Sequence, residues 1–138
     1  MRRPAAVLAA LFALGTTSYA LASGFGGENP PARIPIPARV FKAQIEDFGK
    51  TQVSLTSVTF AGEVFLYGYV GDAQVALPFE KIKEVRFSAL NEDRRQAEVT
   101  LVDGSKQTLA VTHDLLWYGL ATFGNYQIEV EKTAIVRF

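Results

Sequence analysis

The chain has 138 residues and a mass of 15.1 kDa, the length of one domain or of two very small ones. Fourteen Lys and Arg balance fourteen Asp and Glu, so no net positive field is available to hold a nucleic acid. Cysteine is absent and His113 is the single histidine, which excludes disulfides, thiolate chemistry, a lipid-bearing cysteine and a multi-histidine metal site.

Residues 1–22 read as a signal peptide. Arg2 and Arg3 form the positive start, Ala5 to Leu14 is an unbroken apolar run, and Ala20-Leu21-Ala22 places small residues where signal peptidase cuts. The run is much shorter than the roughly 20 residues that span a bilayer. Cleavage near Ala22 removes Arg2 and Arg3 and leaves a small acidic excess. The expected location is periplasmic or extracellular. A small domain without disulfides in such a compartment has to rely on its core alone.

Residues 23–38 hold three glycines and four prolines and are expected to form a flexible arm, extended and polyproline-like towards its end. Ile34 and Ile36 alternate with proline, so the arm is expected to fold back on its own domain or, less simply, to reach a partner.

Two stretches then match without gaps at an offset of 51: Val64 to Phe87 and Leu115 to Phe138. Identities fall at Tyr67/Tyr118, Gly68/Gly119, Glu80/Glu131, Lys81/Lys132, Val85/Val136, Arg86/Arg137 and Phe87/Phe138. Upstream, Ala43-x-Ile45 and Val53-x-Leu55 match Val99-x-Leu101 and Leu109-x-Val111 at an offset of 56. The pattern predicts an internal duplication, with repeat 1 over 39–87, a polar connector over 88–96 and repeat 2 over 97–138.

Each repeat reads as about five short strands. Phe41, Ala43 and Ile45 alternate with polar residues, as Val99 and Leu101 do in the second repeat. Phe48-Gly49 and Asp103-Gly104 predict tight turns into return strands at Val53-x-Leu55 and Leu109-x-Val111. Val64 to Val70 and Leu115 to Ala121 are apolar on both faces and must be covered on both sides. Turns at Gly71-Asp72 and Phe123-Gly124 lead to the fourth strands. Pro78 to Ile82 then breaks the alternation, which predicts one turn of helix before a last strand.

This ending resembles the small SH3-like and Sm-like barrels, in which a 3₁₀ turn precedes the fifth strand. The resemblance implies an all-β fold: two tandem SH3-like/Sm-like β-barrel-type units. Units this short lie near the lower limit for independent folding, so the two are expected to pack as one compact unit.

Little chemistry is expected. His113 and Asp114 are sequence neighbours, and neighbours in a strand face opposite ways, so they make no dyad. Glu80 and Glu131 are expected to pair locally around the helical turns, because a glycosidase pair would have to meet in one cleft. No catalytic, cofactor-binding or metal-binding residues are nominated, and no enzyme activity or cofactor is expected. The candidate interaction surface is Tyr67, Tyr69, Trp117 and Tyr118, since tyrosine and tryptophan are common interface anchors, together with the outward-pointing Arg86 and Arg137. The expected function is a noncatalytic binding or assembly module of the cell envelope, its partner another envelope protein or a second copy of itself. A carrier of a small ligand or glycan, with a cavity between the repeats, and a small outer-membrane β-barrel are the alternatives.

Overall fold

The structure is a computed structural model and describes residues 31–138. The expected signal peptide and the arm up to residue 30 lie outside the described residues, as do the side chains of residues 89–91. The described part is all-β. Its strands are β1 (Ala43–Asp47), β2 (Gln52–Phe60), β3 (Phe65–Val70), β4 (Ala73–Pro78), β5 (Ile82–Asn91), β6 (Arg94–Leu101), β7 (Lys106–Thr112), β8 (Leu116–Ala121), β9 (Gly124–Glu129) and β10 (Thr133–Arg137). Two 3₁₀ turns, Phe79–Lys81 and Val130–Lys132, precede β5 and β10.

All neighbouring strands are antiparallel, in the order β4-β3-β7-β6-β5-β10-β1-β2-β8-β9. The sheet curls into a half-barrel and stays open, with β4 and β9 as its two end strands. Its strands do not follow chain order. The β3–β4 hairpin leaves β2 and pairs with β7, while β2 takes β8 as its second neighbour.

One apolar cluster lines the inner face. Ile45, Val58, Phe60, Leu66, Val85, Val99, Val111, Trp117 and Val136 are buried, and Phe79 and Val130 plug it from the two 3₁₀ turns. Full burial of such a side chain contributes roughly 1.5–3 kcal/mol. Trp117 is the largest and packs against Phe60, Phe79, Phe87 and Phe138 at ring-centroid distances of 4.9–6.5 Å.

The β6–β7 turn forms where Asp103-Gly104 predicts it. Gly104 has a φ of +89°, and Asp103 Oδ1 accepts from the Ser105 amide and hydroxyl at 2.9 and 2.6 Å. These bonds hold the Asp103 carboxyl below the usual aspartate range. In the β1–β2 turn the left-handed residue is Lys50, φ +73°, and not Gly49. There Asp47 Oδ1 accepts from the Thr51 amide and stiffens the loop.

The stretch 88–96 is not a free connector. It extends β5 and β6 into one long hairpin that turns at Glu92, whose φ is +60°. Polar side chains are compatible with strands when their partners lie close by. Arg95 donates to the carbonyls of Ser88 and Glu131, and its guanidinium also lies over the Phe48 ring at 4.9 Å.

Candidate functional site

At the centre of the sheet Val85 faces Val136, and both point into the core. Strand alternation therefore puts Glu84, Arg86, Ile135 and Arg137 on the outer face. Register adds Gln44 and Glu46 from β1 and Glu98 from β6. Arg86 Nε lies 2.6 Å from Glu84 Oε2, and Arg137 Nε lies 3.6 Å from Glu84 Oε1. Arg137 also reaches Glu46 at 3.5 Å and donates to Gln44 Oε1 at 3.3 Å. The two arginines thus converge on one carboxylate, because the antiparallel register of β5 and β10 brings them into one patch.

Glu46 is buried within this patch, 8% exposed. The hydrogen bond from Gln52 Nε2 holds its carboxyl below the usual range; Arg137 and Lys50 act the same way, and desolvation opposes them. Beside it lies a cleft of about 500 Å³, with Ile135 and Ala134 among its lining, Arg86, Glu98 and Lys50 as charged neighbours, and the exposed Phe48. Such a site offers an apolar surface with both signs of charge.

A second surface lies on the β3–β4 pair at one end of the sheet. Leu66 faces inward and is buried, so the alternate residues Phe65, Tyr67 and Tyr69 form a row on the other face, each half-buried. The Phe65 and Tyr67 rings are 5.9 Å apart, and the Arg94 guanidinium lies 4.0 Å from the Tyr69 ring centre. Across the pair stand Ala76, opposite Tyr67, and Gln74, opposite Tyr69. Tyr67 leans on the core through Phe60; burial and the Glu63 charge push its phenol up. Beyond Tyr69 the row opens into a cleft of about 680 Å³ bordered by Glu92, Asp93 and Arg94.

The opposite end of the sheet carries the arm. Asn125, at the start of β9, donates through Nδ2 to the carbonyls of Pro31 and Ala32 at 2.9 and 3.2 Å. Pro35 packs at the β2–β3 turn, 3.5 Å from where a Cβ on Gly62 would stand, and Arg39 pairs with Glu80 at 2.7 Å. Described residues of the arm therefore fold back on their own domain. Ile34 is half-buried, and Ile36 is left 93% exposed.

Of the six residues expected to form an interaction surface, Trp117 is corrected. Its side chain is wholly buried, because β8 turns Trp117 and Gly119 inward and leaves Tyr118 on the other face. Tyr67 and Tyr69 come together on β3, whereas Tyr118 lies near the opposite end, on β8. Arg86 and Arg137 come together around Glu84.

His113 pairs with Glu131 instead of Asp114: Nδ1 lies 3.2 Å from Oε2, and the Glu131 amide donates to the His113 carbonyl at 3.0 Å. The pair clamps the loop after β7 to the second 3₁₀ turn. Glu80 is engaged elsewhere, with Arg39. Among the described residues no group of three or more His, Cys, Asp or Glu side chains is arranged to hold a metal ion.

Residue-by-residue reading of the sequence missed Glu46, Glu84 and Asn125. The available signal for Asn125 was its alignment with Gln74 at the offset of 51.

No curated protein and no solved structure matches the chain. A family described as "Uncharacterised protein" matches residues 37–136, which span the sheet from before β1 into β10, and the chain belongs to that family.

Proposed function

We propose that this chain is an exported, noncatalytic β-repeat protein that serves as a binding or assembly module in the cell envelope. Its sheet is best read as two interlocked copies of one five-stranded SH3-like unit. Exchanging β1–β5 for β6–β10 leaves the strand order unchanged when it is read from the other end. Val85 and Val136, one offset apart, face each other at the centre. The Phe79 amide donates to Val64, and the Val130 amide donates to Leu115, the corresponding pair. Each SH3-like set of five strands then draws two strands from one copy and three from the other.

The observation that carries the binding reading is the β4 end of the sheet. Of the six residues of this end strand, Ala73 to Leu77 bear no charge and no proline, and Pro78 at its far end is its one guard against edge pairing. Next to it stands the aromatic row of β3. Aromatic rows beside an open edge suit a protein or peptide partner. The test is a photo-crosslinking residue at Gln74 in the full-length chain, expressed in the native envelope. A discrete adduct with another envelope protein is expected. Absence of any adduct from Gln74 and from a second position, Ala76, counts against the reading.

The ligand-carrier reading is favoured by the cleft of about 500 Å³ beside Ile135. Thermal-shift panels of small zwitterionic and apolar ligands test it, and a shift abolished by Ile135→Asp supports it. The outer-membrane barrel fits less well: such barrels close their edges and present an apolar outer band, whereas this sheet has two end strands and an ionic patch at its centre.

A further inference from the structure

We propose that the outer face of the β3–β4 pair, formed by Phe65, Tyr67 and Tyr69 with Gln74 as its polar anchor, binds an extended proline-rich segment of another protein. This inference rests on the binding-module reading and names the partner's chemistry.

The molecule already seats such a segment once. At the β9 end, Asn125 holds the carbonyls of Pro31 and Ala32, and the arm continues to Pro35 beside Gly62. A segment rich in proline cannot offer a full ladder of backbone donors, so recognition through its carbonyls by a side-chain amide is the chemistry available to it. Gln74 is the residue matched to Asn125 at the offset of 51. It occupies the corresponding place at the start of the other end strand, opposite Tyr69 as Asn125 is opposite Leu120, and it is exposed.

The β3 face is better suited to proline than the matched face of β8. Where β8 has Leu116, Tyr118 and Leu120, β3 has Phe65, Tyr67 and Tyr69. Polyproline segments dock on aromatic-lined grooves, and their stiffness lowers the entropy lost on binding. A polyproline helix has three residues per turn and a rise of about 3.1 Å, so one face repeats about every 9 Å, and the Phe65–Tyr69 row is long enough to meet successive turns. The cleft beyond Tyr69, lined by Glu92 and Asp93 and also by Arg94 and Arg95, would receive the next residues.

Stoichiometry points to the source. The chain has two such ends and one arm, and residues 31–35 of that arm are engaged at the β9 end. The β3–β4 face is therefore assigned to a segment from a different protein.

The probe is a fluorescein-labelled peptide with the sequence of residues 31–38, titrated into the full-length chain. Anisotropy gives affinity and stoichiometry, and NMR shifts give the location. One-to-one binding is expected, with shifts at Tyr67, Tyr69 and Gln74. Tyr69→Ala should weaken binding about tenfold. Gln74→Ala, an exposed change that leaves the core untouched, should weaken it severalfold, and Asn125→Ala should leave binding at this face unchanged. Shifts confined to β8 and β9, no binding at millimolar peptide, or shifts at Tyr67 and Tyr69 produced by cellohexaose and not by the peptide would each overturn the proposal. If the peptide fails while crosslinks from Gln74 still capture an envelope protein, the occupant's chemistry is wrong and the module reading stands. If the peptide binds and no crosslink forms in the envelope, the site stands and the module reading falls.

Discussion

Val85 stands directly opposite Val136 in the β5–β10 pair, and both are fully buried. They are separated by 51 residues, the same offset that relates Val64–Phe87 to Leu115–Phe138. In the proposed two-copy reading this is the point where the copies meet. Around that point the β3–β4 hairpin pairs with β7, and the β8–β9 hairpin pairs with β2.

The first prediction concerns the halves in isolation. Residues 39–87 alone contain β1–β2 without β8 and the β3–β4 hairpin without β7. This fragment is expected to give no dispersed NMR spectrum as a monomer, while the full-length chain unfolds in one step with coincident tryptophan-fluorescence and circular-dichroism transitions. A well-dispersed monomeric spectrum from the fragment would contradict the interlock.

The two matched glycines should respond unequally to alanine. A Cβ on Gly68 would lie 2.7 Å from the Ala110 carbonyl oxygen, which is backbone and cannot step aside. On Gly119 it would meet Leu55 Cδ1 at 2.9 Å, which another rotamer can move, and Leu55 Cβ at 3.0 Å, which shifts only with its backbone and clashes less severely than the Gly68 contact. Both substitutions overpack a close strand crossing, a class that costs about 1–3 kcal/mol. Gly68→Ala should fall at the upper end and Gly119→Ala at the lower, as read from urea midpoints. Equal losses would mean that the β3–β7 approach is looser than these distances imply.

Acid should weaken the central patch through Glu46. Its carboxyl is held below the ordinary glutamate value of 4.5, chiefly by the Gln52 hydrogen bond. A carboxylate with a lowered folded pKa contributes stability above its unfolded pKa and loses it as pH falls through the folded value. Glu46→Gln should therefore flatten the acid limb of the stability profile below pH 4.5. An NMR titration of Glu46 with a midpoint at or above the ordinary value would refute the assignment.

Trp117 reports on the inward face of β8. Its ring is wholly buried among four phenylalanines, and its Nε1 has no hydrogen-bond partner among the described residues. Trp117→Ala should cost about 3–5 kcal/mol. Trp117→Phe removes the unpaired N–H along with some volume and should cost clearly less. Native emission should be blue-shifted and poorly quenched by iodide. Ready quenching would return Trp117 to the surface.

The features legible in the sequence were local ones. Asp103-Gly104 encodes its turn through glycine's left-handed backbone, and Pro78-Phe79-Glu80 interrupts an alternating pattern within a few residues. Alternation also separated inner from outer faces, as Val85 and Arg86 illustrate. It does not name partners, because a period of two is the same whichever strand lies alongside. Hence the pairing of β3 with β7 was out of reach, and with it the meeting of Arg86 and Arg137 at Glu84. Trp117 was misplaced because its strand is apolar on both faces, and packing alone decides which face turns inward. The 88–96 stretch was misread because its polarity concealed partners distant in the chain, such as the Glu131 carbonyl that receives Arg95.

The strand exchange also sets an order of events in time. When β3 and β4 have been made, the strand they must join, β7, does not yet exist, and β2 still waits for β8. Strands β2 and β3 thus each lack one neighbour until β7 and β8 arrive. Contacts this distant close slowly. A chain of this kind stays open while its early strands lack partners and becomes a finished object only when the later strands arrive.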